Sequence, residues 1–137
     1  MGLTYTTITL VNSGDIIAVD RGYMKEQDVR RITVRALVDT GSITLVINDK
    51  ICQQLGLMVS EYTNVTLAGG ARSAAKLAGP VQVRWEDRLT HCDALVLPGE
   101  SEVLLGAIPL EGMDLEVHPA TQTVAGAHGS KRVFTVK

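Results

Sequence analysis

The sequence has few of the residues that indicate a metal site or a disulfide-stabilised fold. Its 137 residues include two cysteines, Cys52 and Cys92. Neither lies in the short Cys-x-x-Cys or histidine-rich spacing that is typical of zinc sites. We therefore expect both cysteines to be small, buried, apolar residues.

A charge excess of one sign and long apolar runs are also lacking. The 13 basic and 15 acidic side chains are scattered, with a formal net charge of -2. No basic stripe is available for phosphates, which argues against nucleic acid as a partner. No stretch approaches the ~18 uncharged apolar residues of a membrane span, and the first six residues do not resemble a secretion signal. These features predict a cytoplasmic protein with no membrane partner.

The residues that are present indicate one folded, mainly β domain. Hydrophobic residues make up 45% of the chain and charged residues 20%, which is typical of soluble globular proteins. Alternation of apolar and polar residues, rich in β-branched types, predicts eight strands: Thr4–Val11, Asp15–Val19, Val29–Val38, Val59–Leu67, Val81–Trp85, His91–Leu97, Leu115–Val117 and Arg132–Val136. Closely spaced turn signals, among them Asn12-Ser13-Gly14 and Gly79-Pro80, favour a compact barrel or sandwich.

One or two short helices accompany these strands. Asn48 is a capping residue type at the start of an apolar pattern that ends at Gly56, where glycine can close the helix. A second helix is predicted from Ala107 to Gly112, with Pro109 tolerated in its first turn.

The segment 36–42, Ala-Leu-Val-Asp-Thr-Gly-Ser, carries the clearest chemical signal. A carboxylate at the mouth of a buried strand is costly unless its charge is shared, hydrogen-bonded or used. Gly41 permits a tight turn that brings main-chain N–H groups toward Asp39, and Ser42 can donate to its outer oxygen. An alternative is that Asp39 merely caps its own turn.

This segment resembles the signature of the retropepsin-like aspartic peptidases, an apolar strand followed by Asp-Thr-Gly and then Ser or Ala. In that family an apolar-apolar-Gly element runs beneath the active loop, and Leu104-Leu105-Gly106 matches it here. A hairpin flap covers the substrate, and Leu67-Ala68-Gly69-Gly70-Ala71 matches its tip. The resemblance spans about residues 29–118 of a single domain, 1–137. It implies a closed β-barrel of the acid protease fold.

The resemblance also implies a homodimer. The chain contains no internal repeat and one Asp-Thr-Gly, whereas the reaction needs two carboxyl groups. Asp39 from each subunit would activate a water that hydrolyses a peptide bond, with Thr40 holding the two loops together and with no metal or other cofactor. The tail 127–137 would contribute to dimerisation. In retroviral members an acidic residue often follows this segment and an Arg follows the second Gly, whereas Ile43 and Ala107 stand here.

Three interpretations remain open at the level of sequence. The first is an aspartic endopeptidase, the second is a catalytically silent dimer of the same fold that binds extended peptides, and the third is an unrelated small barrel in which Asp39 shapes a turn. A histidine base paired with Ser42 or Cys52 has no supporting pattern, because His91, His118 and His128 are far apart in sequence. The charged groups Glu86-Asp87-Arg88 and Glu100-Ser101-Glu102 are expected at solvated turns.

Overall fold

A computed structural model describes residues 2–136. The strands are β1 (Tyr5–Asn12), β2 (Arg31–Val38), β3 (Leu45–Asn48), β4 (Met58–Thr66), β5 (Arg72–Trp85), β6 (Arg88–Leu97), β7 (Leu104–Leu105), β8 (Leu115–His118) and β9 (Thr123–Gly126). The helices are α1 (Ser13–Asp20), α2 (Asp49–Leu55) and α3 (Ala107–Gly112), with one 3₁₀ turn at Glu26–Asp28. None of the helices in this part of the chain is long and apolar enough to cross a membrane.

Six strands form a closed barrel. Their order is β1-β2-β7-β3-β6-β5, and β1 pairs with β5 to complete the circle. The interior is filled by aliphatic side chains such as Leu10, Leu45, Ile47, Val83 and Leu105, each fully buried. The expectation of a mainly β, closed barrel is confirmed, and β1 contributes a strand from the N-terminal region that the family resemblance did not cover.

Both predicted helices form where their local signals place them. The side chain of Asn48 accepts a hydrogen bond from the Ile51 amide at 2.9 Å, and Gly56 ends α2 with a left-handed φ of 60°. The Asn cap satisfies an amide that lacks a partner in the first turn, and glycine adopts positive φ without a steric penalty. Helix α3 begins after Gly106 and contains Pro109 in its first turn.

The predicted strand Asp15–Val19 is wrong, because these residues belong to α1. The Asn12 side chain accepts from the Asp15 amide at 3.1 Å, which starts the helix. The buried Asp15 carboxylate then accepts three hydrogen bonds from the backbone and guanidinium of Arg30. Residues 2–136 therefore contain three α-helices rather than one or two.

The predicted strand Arg132–Val136 is also wrong for the single chain, since residues 132–136 have no regular secondary structure. The Val133 amide instead donates to the Asp114 carboxylate at 3.1 Å. Gly79-Pro80 is not a turn either. Strand β5 continues through this pair, with a register shift against β6 between Ala78 and Val81.

Candidate active site

Asp39 follows the last residue of β2, in the middle of the barrel wall. Strand β2 pairs in parallel with β7, with Val38 opposite Leu105. The Asp39 amide donates to the Leu105 carbonyl at 3.0 Å. The backbone that carries the carboxylate is therefore fixed by hydrogen bonds to a neighbouring strand.

Two donors from the same loop hold the Asp39 carboxylate. The Gly41 amide donates to Oδ1 at 2.9 Å and the Ser42 hydroxyl donates to Oδ2 at 3.1 Å. These bonds fix the orientation of a side chain that is itself half-buried. The Thr40 side chain is exposed, and its hydroxyl has no hydrogen bond to any residue between 2 and 136.

The Leu104-Leu105-Gly106 element lies directly beneath this loop. Strand β7 inserts between β2 and β3, and the Ala107 amide donates to the Ser42 carbonyl at 2.8 Å. A Cβ atom on Gly106 would lie 2.5 Å from that carbonyl oxygen, far inside van der Waals contact. Glycine is therefore required where the element passes under the loop.

Strands β4 and β5 form a hairpin whose tip contains the predicted flap residues. The Leu67 amide donates to the Ala71 carbonyl at 2.7 Å, which closes the tip. Gly69 and Gly70 have φ values of 93° and 90°, a region that side chains rarely adopt. Leu67, Ala68 and both glycines are exposed.

The active loop and the hairpin share a cleft of about 560 Å³. Asp39, Gly41 and Ser42 line it from the loop, and Leu67 and Ala68 line it from the hairpin. The other predicted site residues do not line the cleft: Thr40 of the active loop, Gly69, Gly70 and Ala71 of the hairpin, and Leu105 and Gly106 of the element beneath the loop. Among the described residues, Asp39 is the one charged residue that lines the cleft.

Half of the residues that line the cleft were not predicted as site residues. They are Ile43, Val46, Val65, Thr66, Leu95 and Leu97, and all except Thr66 are apolar. The alternation along β6 marks one face of that strand, but it does not show which face borders Asp39. That information comes from the parallel pairing of Val46 with Leu95.

The histidines have partners away from the cleft. The His91 ring lies 2.9 Å from the Ser13 hydroxyl, and His118 and His128 contact carboxylates of Glu116 and Asp114. The interpretation of a histidine base beside Ser42 is therefore not supported, since Ser42 donates to Asp39.

The described residues contain no group of three or more His, Cys, Asp or Glu side chains placed to hold a metal ion. Burial raises the pKa of the thiols of both Cys52 and Cys92. A raised pKa keeps a thiol protonated and unreactive at neutral pH. Neither cysteine lines the cleft that contains Asp39.

The chain is similar to a solved structure and to a family model. A solved structure, EIAV protease complexed with the inhibitor HBY-793, aligns over 77% of this chain and 82% of its own, with 18% sequence identity and a TM-score of 0.49. No curated protein matches the chain by sequence. The family model described as aspartyl protease matches residues 26–107, a stretch that includes the loop at Asp39, the hairpin and the Leu-Leu-Gly element. The chain therefore belongs to the aspartyl protease family.

Proposed function

We propose that the protein is an aspartic endopeptidase whose active site contains Asp39 from two identical subunits. The observation that carries this proposal is the position of the Asp39 carboxylate. It is held by Gly41 and Ser42 at the floor of a cleft that a glycine-tipped hairpin borders from the other side. Such a cleft accommodates an extended chain with its backbone above the acid.

Dimerisation follows from the count of carboxyl groups. One chain supplies one Asp-Thr-Gly loop, and the cleft holds no second acid. The exposed Thr40 is available to a partner's loop. A second cleft of about 630 Å³ borders Thr40 and is partly lined by the apolar side chains of Leu3, Val38 and Leu110. These features favour a partner copy on this side, where the tail 127–137 of the same domain would add contacts.

The chemistry requires no group beyond the two carboxyls. Two carboxylates about 3 Å apart repel each other strongly, so the pair shares one proton. The ionised member accepts a proton from a water as its oxygen attacks the peptide carbonyl carbon. The protonated member donates its proton to the carbonyl oxygen. The carboxyl that took the proton from water then donates it to the amide nitrogen, and the other carboxylate takes a proton from a hydroxyl of the tetrahedral intermediate. Collapse of the intermediate breaks the C–N bond, releases a carboxylic acid and an amine, and restores the single shared proton.

The substrate binds as an extended strand between the active loop and the hairpin. Gly69 and Gly70 give the hairpin tip the freedom to close over the peptide and exclude bulk water. The remaining cleft lining is mainly aliphatic, which favours apolar side chains next to the cut.

The test is hydrolysis of a mixed peptide library at several pH values between about 4 and 7. Wild-type protein cleaves peptides, a statine peptide blocks cleavage, and Asp39→Asn removes it. Asp20→Asn, which changes an exposed carboxylate at the end of α1, is the matched control and keeps the activity. Peptide binding without hydrolysis by the wild type would instead establish the silent binding module.

A further inference from the structure

The outer surface of strands β1, β2 and β5 gathers basic side chains that are far apart in sequence. Ile8, Ala36 and Val83 point into the barrel, where each is no more than 1% exposed. The alternate residues of these strands therefore point outward. They include Tyr5, Thr7 and Thr9 of β1, Arg31, Thr33, Arg35 and Leu37 of β2, and Arg84 of β5. These residues form the outer arginine face, which has three arginines and no carboxylate.

Strand pairing places two of these arginines beside a pair of hydroxyls. Thr7 lies opposite Arg35, and Thr9 lies opposite both Thr33 and Arg84. Residues that are directly opposite in antiparallel strands point to the same side. The hydroxyl oxygens of Thr9 and Thr33 are 2.9 Å apart. Since one hydroxyl donates to the other, the second keeps its proton for a ligand.

The guanidinium groups of Arg35 and Arg84 are held in place without an acidic partner. Among the described residues, no carboxylate lies within salt-bridge distance of either one. The Arg35 guanidinium lies 3.7 Å from the centre of the Tyr5 ring, and Glu102 faces the hydroxyl of that tyrosine. Nε of Arg84 donates to the side chain of Gln82. Both contacts orient a guanidinium and leave its terminal N–H groups available to an anion.

The chemistry of this face favours a short acidic protein segment as its ligand. Carboxylates accept paired hydrogen bonds from guanidinium groups, and these charge-assisted bonds are strong. Nucleic acid is a poorer fit, because its affinity comes from many phosphate contacts, and Arg31 is already paired with Glu26. The Tyr5 ring is covered by Arg35, so it is not open for stacking with a base.

We propose that the outer arginine face docks an acidic segment of the protein substrate, away from the bond that is cleaved. The identification of this partner as a substrate rests on the proposed function, whereas the binding of an acidic segment does not. Neither Arg35 nor Arg84 lines the cleft that contains Asp39. Docking therefore adds affinity without changing the chemistry at Asp39.

The first experiment measures binding of a fluorescein-labelled octaglutamate peptide by fluorescence anisotropy. The double variant Arg35→Gln with Arg84→Gln is expected to bind about fivefold to tenfold more weakly, because two charge pairs are lost. Added salt weakens binding to the wild type by screening the same charges. Arg35→Lys with Arg84→Lys retains most of the affinity, since both charges remain. Thr33→Glu, at an exposed position on the same face, weakens binding through repulsion.

Arg72→Gln is the matched control. Arg72 is exposed at the opposite end of β5 from Arg84, and its loss changes the affinity less than about twofold. Full affinity in both the double glutamine variant and Thr33→Glu overturns the docking face. Tighter binding of a DNA duplex than of octaglutamate at the same salt concentration also overturns it, because the surface then recognises nucleic acid.

The second experiment separates docking from the peptidase. A peptide that the protein cleaves is compared with the same peptide carrying octaglutamate beyond a Gly-Ser linker. In the wild type the acidic extension lowers KM about fivefold and leaves kcat unchanged, and in the double glutamine variant the two KM values are equal. Binding of octaglutamate without any cleavage rejects the peptidase but keeps the docking face. Cleavage with equal KM values for both peptides in the wild type overturns the docking of substrate and keeps the peptidase.

Discussion

Gly106 packs so closely against the carbonyl of Ser42 that a side-chain methyl group at position 106 would overlap it. A Cβ on Gly106 would be 2.5 Å from the Ser42 oxygen and closer still to that of Thr44. Both obstacles are backbone atoms, which cannot move aside as a side chain does. The position of the active loop is therefore coupled to the residue that passes beneath it.

Gly106→Ala is expected to lower the free energy of unfolding by about 3 kcal/mol or more, because overpacking against backbone forces the loop to shift. Peptidase activity falls further than the folded fraction, since the loop carries Asp39. Urea unfolding and activity assays on the same samples measure both effects. Gly22→Ala is the control. Gly22 has a φ of 79° and open space around its Cβ position. The Gly22→Ala substitution therefore costs about 1 to 2 kcal/mol through backbone strain alone and leaves activity per folded molecule unchanged.

Asp15→Asn is expected to destabilise the protein by about 1 to 3 kcal/mol near neutral pH, because it removes a buried charged acceptor that is hydrogen-bonded to the half-exposed Arg30. Oδ1 of Asp15 lies 2.8 Å from the Arg30 guanidinium, and its own side chain is 5% exposed. Chemical denaturation measures the loss. The exposed pair of Glu26 and Arg31 supplies the matched control, and Glu26→Gln should cost less than about 0.5 kcal/mol.

The pair of Asp15 and Arg30 predicts how the destabilisation caused by Asp15→Asn varies with pH. Hydrogen bonding to Arg30 lowers the pKa of Asp15, so the folded state favours the ionised form. The ionised Asp15 carboxylate contributes fully to the free energy of unfolding above the pKa of about 3.9 that an unfolded chain has. This contribution is lost as the pH falls through the lower pKa of the folded state. The difference in free energy of unfolding between wild type and Asp15→Asn is therefore constant from about pH 5 to pH 7 and becomes smaller in more acidic solution. A gap that widens on acidification contradicts the assignment.

Local signals made part of this fold predictable. Helix α2 was found because Asn48 and Gly56 act within a few residues of their targets. Helix α1 was missed because Asn12-Ser13-Gly14 has the composition of a turn, and its helical role depends on contacts of Asp15 with the distant Arg30. The strands β3, β7 and β9 are short, and tertiary pairing rather than composition specifies them.

The candidate site was predictable to the extent that it is a contiguous motif. The loop at Asp39 and the hairpin tip lie where the resemblance placed them, although their catalytic roles stay predictions. Arg88 shows the opposite case. It was expected at a solvated turn, yet it is 6% exposed and donates to the carbonyls of Met113, Asp114 and Gly129. Nothing in the local sequence distinguishes a buried arginine from a solvated one at a turn.

The contacts of Asp114 predict a pH-dependent attachment of the tail. The His128 imidazole lies 2.8 Å from Oδ2, and this contact, followed by the Val133 amide, lowers the pKa of Asp114. Asp114 therefore stays ionised in mildly acidic solution. Its contacts with the tail are present there and weaken as the pH falls through the lowered pKa of Asp114.

Nitrogen-15 relaxation of the Val133 amide measures this attachment. In the wild type we expect the order parameter to fall from about 0.85 near neutral pH to below about 0.6 once the pH has fallen through the lowered pKa of Asp114. Asp114→Asn gives the low value throughout, and asparagine tolerates the positive φ of 54° at this position. Glu116→Gln removes another histidine–carboxylate contact and leaves the tail unchanged. A rigid Val133 in Asp114→Asn contradicts the role of the carboxylate.

Mixing subunits tests whether one active site uses Asp39 from two chains. Wild-type protein is incubated with an equal amount of Asp39→Asn until subunits exchange, and peptide cleavage per wild-type chain is measured. Random pairing leaves about half of the wild-type chains in fully wild-type dimers. A mixed dimer has one carboxyl and one amide, which cannot share a proton as two acids do, so activity falls to about half. Added Asp20→Asn, which retains both carboxyls, causes no loss. If light scattering confirms subunit exchange but added Asp39→Asn protein leaves the activity of the wild-type chains unchanged, each chain is active without Asp39 of a partner. The second acid then comes from elsewhere.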